Sequence, residues 1–232
     1  TISNYDIKIR YNIKGGSVMI EFKNISKKFK DRYILNNFNL KVPQGSKTLL
    51  YGKSGIGKTT IFRILLGFTQ PDEGEIFFKE EKINAKNIWD LRKETAYLGQ
   101  ELDVLEGTVQ DIINNILSYK VNENISFDKN KIIKLMNYFQ LEENVLEKDY
   151  QTLSGGEKQR ILISIFSFLN KKIYLLDEIT SSLDKDMKNK VIDFFLSKEE
   201  WTVISISHDH EWLSKDGIKI IELGGNNNGT NN

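Results

Sequence analysis

The chain has 232 residues, of which 39% are hydrophobic and 28% charged, a composition that supports a buried core and excludes a wholly disordered polymer. Its 33 basic and 32 acidic side chains leave a formal net charge of +1, so no basic footprint for nucleic acid shows and no nucleic-acid partner is expected. It has no cysteine, which excludes disulfides and thiolate metal sites, and its two histidines, His208 and His210, are too few for a histidine-built metal centre.

Residues 1–18 are polar and close on Gly15-Gly16-Ser17. They are expected to be an extension, or the remnant of one, with Met19 near the start of the domain; the competing reading is a genuine first strand carrying Ile7, Ile9 and Tyr11. From Met19 the apolar residues Ile20, Phe22 and Ile25 predict a strand, and residues 47–51 (KTLLY) are a short apolar run that stops at glycine, the form of a buried strand. Residues 59–66 then show helical spacing through Ile61, Ile64 and Leu65. The stretch 101–152 carries helical periodicity, as in Ile132, Ile133, Met136 and Phe139. Residues 173–176 and 203–206 are apolar runs suited to parallel strands covered on both faces. Residues 226–232 are Asn- and Gly-rich and read as a flexible tail. No run approaches the eighteen or so apolar residues of a membrane span, and the first residues lack the apolar stretch of a secretory signal. The protein is therefore expected in the cytoplasm, reaching a membrane only through a partner.

Between the run at 47–51 and the helix at 59–66 lies Gly52-Lys53-Ser54-Gly55-Ile56-Gly57-Lys58-Thr59, which fits the P-loop pattern G-x-x-x-x-G-K-[ST] in the strand-to-helix context that pattern demands. Glycine lets the backbone curl so that successive N–H groups face phosphate oxygens, and the following helix offers its positive end to the same anion. Gly52, Ser54, Gly55, Gly57, Lys58, Thr59 and Thr60 are the residues expected around the triphosphate of ATP, with Lys58 reaching the β- and γ-phosphates and Thr59 ligating Mg²⁺. The run 173–176 ends in Asp177-Glu178, which puts two carboxylates at the C-terminal end of a core strand, where open α/β sheets bind ligands. Asp177 would hold Mg²⁺ through water, and Glu178 would orient or deprotonate the attacking water.

Leu153-Ser154-Gly155-Gly156-Glu157, followed by Gln159-Arg160 and a helical run, completes a set that strongly resembles the ABC ATPase family over residues 19–225. Ser154 with Glu157 also reads as a helix capping box, and the two readings are compatible. The resemblance implies a P-loop NTPase α/β core with a parallel central sheet, an antiparallel β subdomain and a helical subdomain inserted at about 101–152. It implies that Ser154, Gly155, Gly156 and Glu157 close over the nucleotide of a second ATPase subunit, giving a head-to-tail dimer that powers a separate membrane permease. It further implies that Gln100 contacts Mg²⁺, that Asp184 in Ser181-Ser182-Leu183-Asp184 communicates across the dimer, and that His208 touches the γ-phosphate. An aromatic ring stacks on adenine in this family; Phe29 is the candidate and Tyr33 its competitor. The segment 105–112 looks like the part that receives the permease. Most members have proline where this chain has Ile179, and the run from Asp177 to Asp184 is similar to a FetA/YbbL-like branch linked to metal export. The alternative function is a non-transport ABC ATPase acting on nucleic acid or ribosomes, which usually carries a long coiled coil or a second such domain; this chain has neither.

Overall fold

The computed structural model describes residues 5–6, 16–30, 32–99 and 105–224. Ile7, Ile9, Tyr11, Gln100 and the tail 226–232 lie outside them. The antiparallel layer comes first in the chain: β2 (Val18–Phe29) and β3 (Arg32–Pro43) form a long hairpin, β5 (Glu73–Phe78) pairs with the other side of β2, and β6 (Glu81–Lys82) completes the four strands. Phe22, Ile25, Phe38 and Leu40 point from it into the core, which explains the alternation from Met19 onward.

The second sheet has six strands in the order β1 (Tyr5–Asp6), β10 (Ile218–Leu223), β4 (Lys47–Tyr51), β9 (Thr202–Ser207), β8 (Ile173–Asp177), β7 (Thr95–Leu98). All neighbours are parallel except β1, which pairs antiparallel with β10. Every residue of β8 and β9 is buried, as expected of parallel strands covered on both faces, and in β9 that includes Thr202, Ser205 and Ser207. Successive side chains serve opposite faces. Leu50, Leu175, Ile204 and Ile206 pack with α1 (Lys58–Leu65) and the antiparallel layer. Leu49, Tyr174, Leu176 and Val203 pack with α5 (Gly155–Phe168), α6 (Lys185–Leu196) and α7 (His210–Leu213). Between α1 and β7 runs α2 (Ile88–Glu94).

The insertion is mostly helical, with α3 (Val109–Ser118), α4 (Lys129–Tyr138) and three short 3₁₀ turns. Ile132, Met136 and Phe139 are buried on the face that the spacing predicted, while Ile133 is half-buried. Ile112, Ile113, Ile132, Tyr150 and the outer face of α5 form a third cluster; Leu135 and Phe166 touch both this cluster and the core beside α6. At the N-terminal end of the parallel strands, the buried Lys47 ammonium donates to the carbonyls of Gly45, Lys198 and Trp201, tying β4 to the segment that leads into β9.

Phe195 is fully buried beneath the sheet, with its ring centroid 5.5 Å from Tyr174 and 5.9 Å from Trp201. Phe195→Ala should therefore cost about 3–5 kcal/mol of unfolding free energy by urea titration; a loss below about 1 kcal/mol would contradict this core assignment.

Candidate functional site

The parallel register sets the site. Tyr51 lies opposite Ser207 and Asp177 opposite Ile206, so the residues that follow each strand (Gly52, Glu178 and His208) leave the sheet at one edge. The P-loop turns there from β4 into α1. Gly57 caps α1 with φ 103°, a left-handed conformation, and a Cβ at this position would sit 2.4 Å from Ile34 Cγ2. No side chain caps this helix and its first turn holds no acid, so its N–H groups are left to an anion.

Ser54, Gly55, Gly57, Lys58, Thr59 and Thr60 line one side of a cavity of about 200 Å³, and Asp177 and Glu178 line the other. Lys58, only 6% exposed, folds its ammonium back onto the loop and donates to the carbonyls of Gly52 (2.6 Å) and Lys53 (3.0 Å). Burial lowers the Lys58 pKa, an effect opposed by the charges of Glu178 and Asp177. A triphosphate would replace those two weak acceptors with strong ones.

Asp177 is 2% exposed. Its Oδ2 accepts a 3.4 Å bond from the Tyr97 hydroxyl, while its Oδ1 is buried without a hydrogen-bond partner. Burial raises the Asp177 pKa, hydrogen bonding from Thr59 pulls it back, and the Glu178 charge raises it further. An orphaned carboxylate oxygen beside a threonine hydroxyl is a hard-oxygen donor set suited to a small divalent cation. The described residues contain no cluster of three or more histidines, cysteines or acids that could hold a metal ion by itself.

Glu178 adopts φ 57°, an unfavourable left-handed conformation for a side chain of this size. Its N–H donates to Ile206 O (2.9 Å), and its Oε2 lies 3.0 Å from His208 Nδ1. Glu178 is buried whereas His208 is 63% exposed, so the histidine stands at the mouth of the site.

The signature residues lie elsewhere. Ser154 caps α5 in a full capping box, with its hydroxyl donating to Glu157 Oε2 (2.7 Å) and accepting from Glu157 N–H (3.3 Å). Hydrogen bonds from Ser154 hold the Glu157 carboxyl below its usual range. Ser154 and Gly155 are exposed and are not part of the cavity wall. A Cβ at Gly156 would come within 3.3 Å of Ser182 O, so the Ser181–Asp184 loop packs against this helix tip. The Asp184 carboxylate caps α6 by accepting from Met187 N–H (2.9 Å).

The profile of the family described as ABC transporter matches residues 35–181, well over half of the chain. The chain belongs to this family. The curated relative EcfA1 of Staphylococcus aureus strain N315, an energy-coupling factor transporter ATP-binding protein, is 30% identical over 218 residues, covering 89% of this chain and 79% of that one. Two solved structures share the fold of this ABC ATPase. CbiO1 from Clostridium perfringens, part of the transporter complex cbiONQ, has a TM-score of 0.71 at 21% identity and covers 89% of this chain and 87% of its own. The cassette MJ0796, a dimer in a post-hydrolysis state bound to ADP and phosphate, has a TM-score of 0.72 at 23% identity, covering 89% and 94%. The activity is that of the family: ATP binding and hydrolysis by a transporter subunit.

Phe29 and Tyr33 are 52% and 43% exposed and neither lines the cavity; Ile34 does, a residue that no sequence motif marked. Three further residues escaped the sequence reading. Asp209 accepts from Thr180 Oγ1 (2.6 Å) and Lys188 Nζ (2.7 Å), tying the loop after β8 to the loop after β9. The only signal was the position of Asp209 next to His208.

The raised pKa of Asp177 has a consequence for stability. The folded chain holds this proton more tightly than the unfolded one, so the stability it contributes is complete below the unfolded value near 3.8 and is lost as pH rises through the folded value. Asp177→Asn should therefore melt at a higher temperature than the parent at neutral pH without nucleotide or divalent cation, and the gap should close as pH falls toward 3.8. Thermal melts across pH check this, and an Asn variant less stable at neutral pH would refute it.

Proposed function

We propose that two copies of this chain, or this chain and a close relative, close head to tail around two ATP molecules and thereby drive a separate integral membrane permease from its cytoplasmic face. The observation that carries this reading is the pair of helix tips. The N-terminus of α1 is uncapped and opens into the cavity beside Asp177 and Glu178, while the N-terminus of α5 is exposed and outside that cavity. One chain thus has both halves of a nucleotide site, facing different ways. Head-to-tail pairing joins each half to its complement, which the dimeric state of MJ0796 supports.

In the proposed dimer, Lys58 leaves the Gly52 and Lys53 carbonyls for the β- and γ-phosphates, and the N–H groups of α1 cradle the same oxygens. Asp177, Thr59 and Gln100 would hold Mg²⁺, which would supply positive charge against the phosphates. Glu178 takes a hydrogen bond from the attacking water and fixes its line of approach. His208 reaches from Glu178 to the γ-phosphate, and Ser154 and Gly155 of the second copy complete the enclosure. Water attacks the γ-phosphorus, the bond to the β-bridging oxygen breaks, and ADP and phosphate leave. Catalysis is positioning plus charge stabilisation.

Residues 19–225 act in this reading as one ATPase unit with the insertion 101–152 as its helical subdomain, and the exposed rings of Phe29 and Tyr33 are its candidates for adenine stacking. No described helix is long and apolar enough to cross a membrane, and in this reading the permease is a separate chain. The relatives' role in energy-coupling factor transporters favours a partner of that kind.

Glu178→Gln should lower the ATPase turnover by roughly two orders of magnitude or more and trap a dimer that forms only with ATP, visible by light scattering after size exclusion. Unchanged turnover would remove Glu178 from this role. Gly155→Arg should keep ATP binding by the isolated chain yet abolish that dimer; a dimer of undiminished stability would overturn the head-to-tail arrangement.

A further inference from the structure

Asp209 stands at the N-cap position of α7, where an aspartate ordinarily turns its carboxylate onto the first N–H groups of its own helix. Here the side chain makes no such bond. Both oxygens are used elsewhere: Oδ2 accepts from the Thr180 hydroxyl at 2.6 Å and Oδ1 from the Lys188 ammonium at 2.7 Å. Thr180 is fully buried and Asp209 is 9% exposed, so the Thr180 bond is made away from water and the Lys188 bond is partly shielded from it. Burial opposes the Asp209 charge, yet the bonds from Lys188 and Thr180 outweigh it and hold the carboxyl below its usual range.

The two loops joined in this way are the ones that carry the reacting groups. Thr180 is two residues beyond Glu178, and Asp209 is the neighbour of His208. A second tie runs alongside, from Glu178 N–H to Ile206 O (2.9 Å), and a third fixes the Asp209 backbone through its N–H bond to Ser207 Oγ (3.0 Å). Glu178 needs such support, since its φ of 57° is a conformation that persists only where surrounding contacts impose it. With the loops clamped, Glu178 Oε2 sits 3.0 Å from His208 Nδ1. His208 itself is 63% exposed, so its placement depends on the loop that carries it.

We infer that Thr180 and Asp209, braced by Lys188 from α6, are positioning residues for hydrolysis: their buried hydrogen bonds hold His208 and Glu178 in working geometry. The phosphate-binding loop belongs to β4 and α1 and takes no part in the clamp. Loss of the clamp should therefore act on turnover and leave ATP binding alone. A mere packing staple would affect stability without that selectivity. The inference rests on the catalytic roles proposed for Glu178 and His208, so its test includes a measurement that needs no hydrolysis.

Thr180→Val keeps the shape and removes the hydroxyl, whereas Thr180→Ser keeps the hydroxyl. In the full chain, Thr180→Val should lower kcat roughly ten- to a hundred-fold at unchanged KM for ATP, and Thr180→Ser should restore it to within about threefold of the parent. The second readout is the imidazole ¹⁵N spectrum, which is simple because the chain has two histidines. The His208 Nδ1 signal should move in Thr180→Val and stay in place in Thr180→Ser, with or without nucleotide. Lys188→Met, which removes the other partner at a half-buried position, should move the same signal and serves where Thr180→Val does not fold. A folded Thr180→Val with parental kcat, a Thr180→Ser as slow as Thr180→Val, or an unmoved His208 signal in Lys188→Met would each overturn the assignment. A moved signal together with a Glu178→Gln variant that still turns over would spare the clamp and remove the proposed catalytic role of the pair.

Discussion

The parallel pairing of β4, β9 and β8 is the constraint on which the rest depends. Parallel strands share a direction, so their C-terminal ends fall at one edge of the sheet, and whatever follows each strand is delivered to the same place. The register brings the P-loop, the Asp177–Glu178 pair and His208 together although they are far apart in sequence. That register is itself held by burial. Each strand sends alternate side chains into different hydrophobic clusters, and a slip of one residue would exchange the two faces.

Two helix N-termini then divide the chemistry. Both carry the partial positive charge of an aligned helix, but their own sequences settle what they offer. At α1 the cap is Gly57, which has no side chain to satisfy the free N–H groups, and a phosphate can take them. At α5 the Ser154–Glu157 capping box satisfies part of that need internally and leaves an exposed hydroxyl and two glycines at the tip. The stability of α5 therefore does not wait on a ligand.

Strain and burial are concentrated at the candidate site. Glu178 holds a left-handed backbone, Asp177 keeps an unpartnered oxygen, and Lys58 lies on backbone carbonyls in place of a carboxylate. Each costs the fold some stability on its own. The clustered rings of Tyr174, Phe195 and Trp201 and the carbonyl-bound Lys47 lie towards the opposite end of the parallel strands. The fold is thus anchored at one end and chemically poised at the other.

Much of the site was legible in the residues because its signals are local. A P-loop is eight consecutive residues whose glycines and lysine have fixed jobs, a capping box spans four, and an apolar run ending in two carboxylates places both acids on one strand end. The strands at 47–51, 173–176 and 203–206 announced themselves because a strand covered on both faces is mostly apolar. Contacts between segments distant in sequence were not legible. Nothing near Thr180 marks it as the partner of a carboxylate 29 residues later, and Asp209 by propensity belongs to its own helix cap. The left-handed turn at Glu178, the approach of Ile34 to the P-loop and the carbonyl cage around Lys47 were likewise decided by neighbours that only the packed sheet supplies. Sequence alone determined which groups are the candidates for the chemistry, since their types and spacing along the backbone are fixed. Tertiary structure decided how they are aimed, since aim depends on hydrogen bonds that close only once the strands are in register.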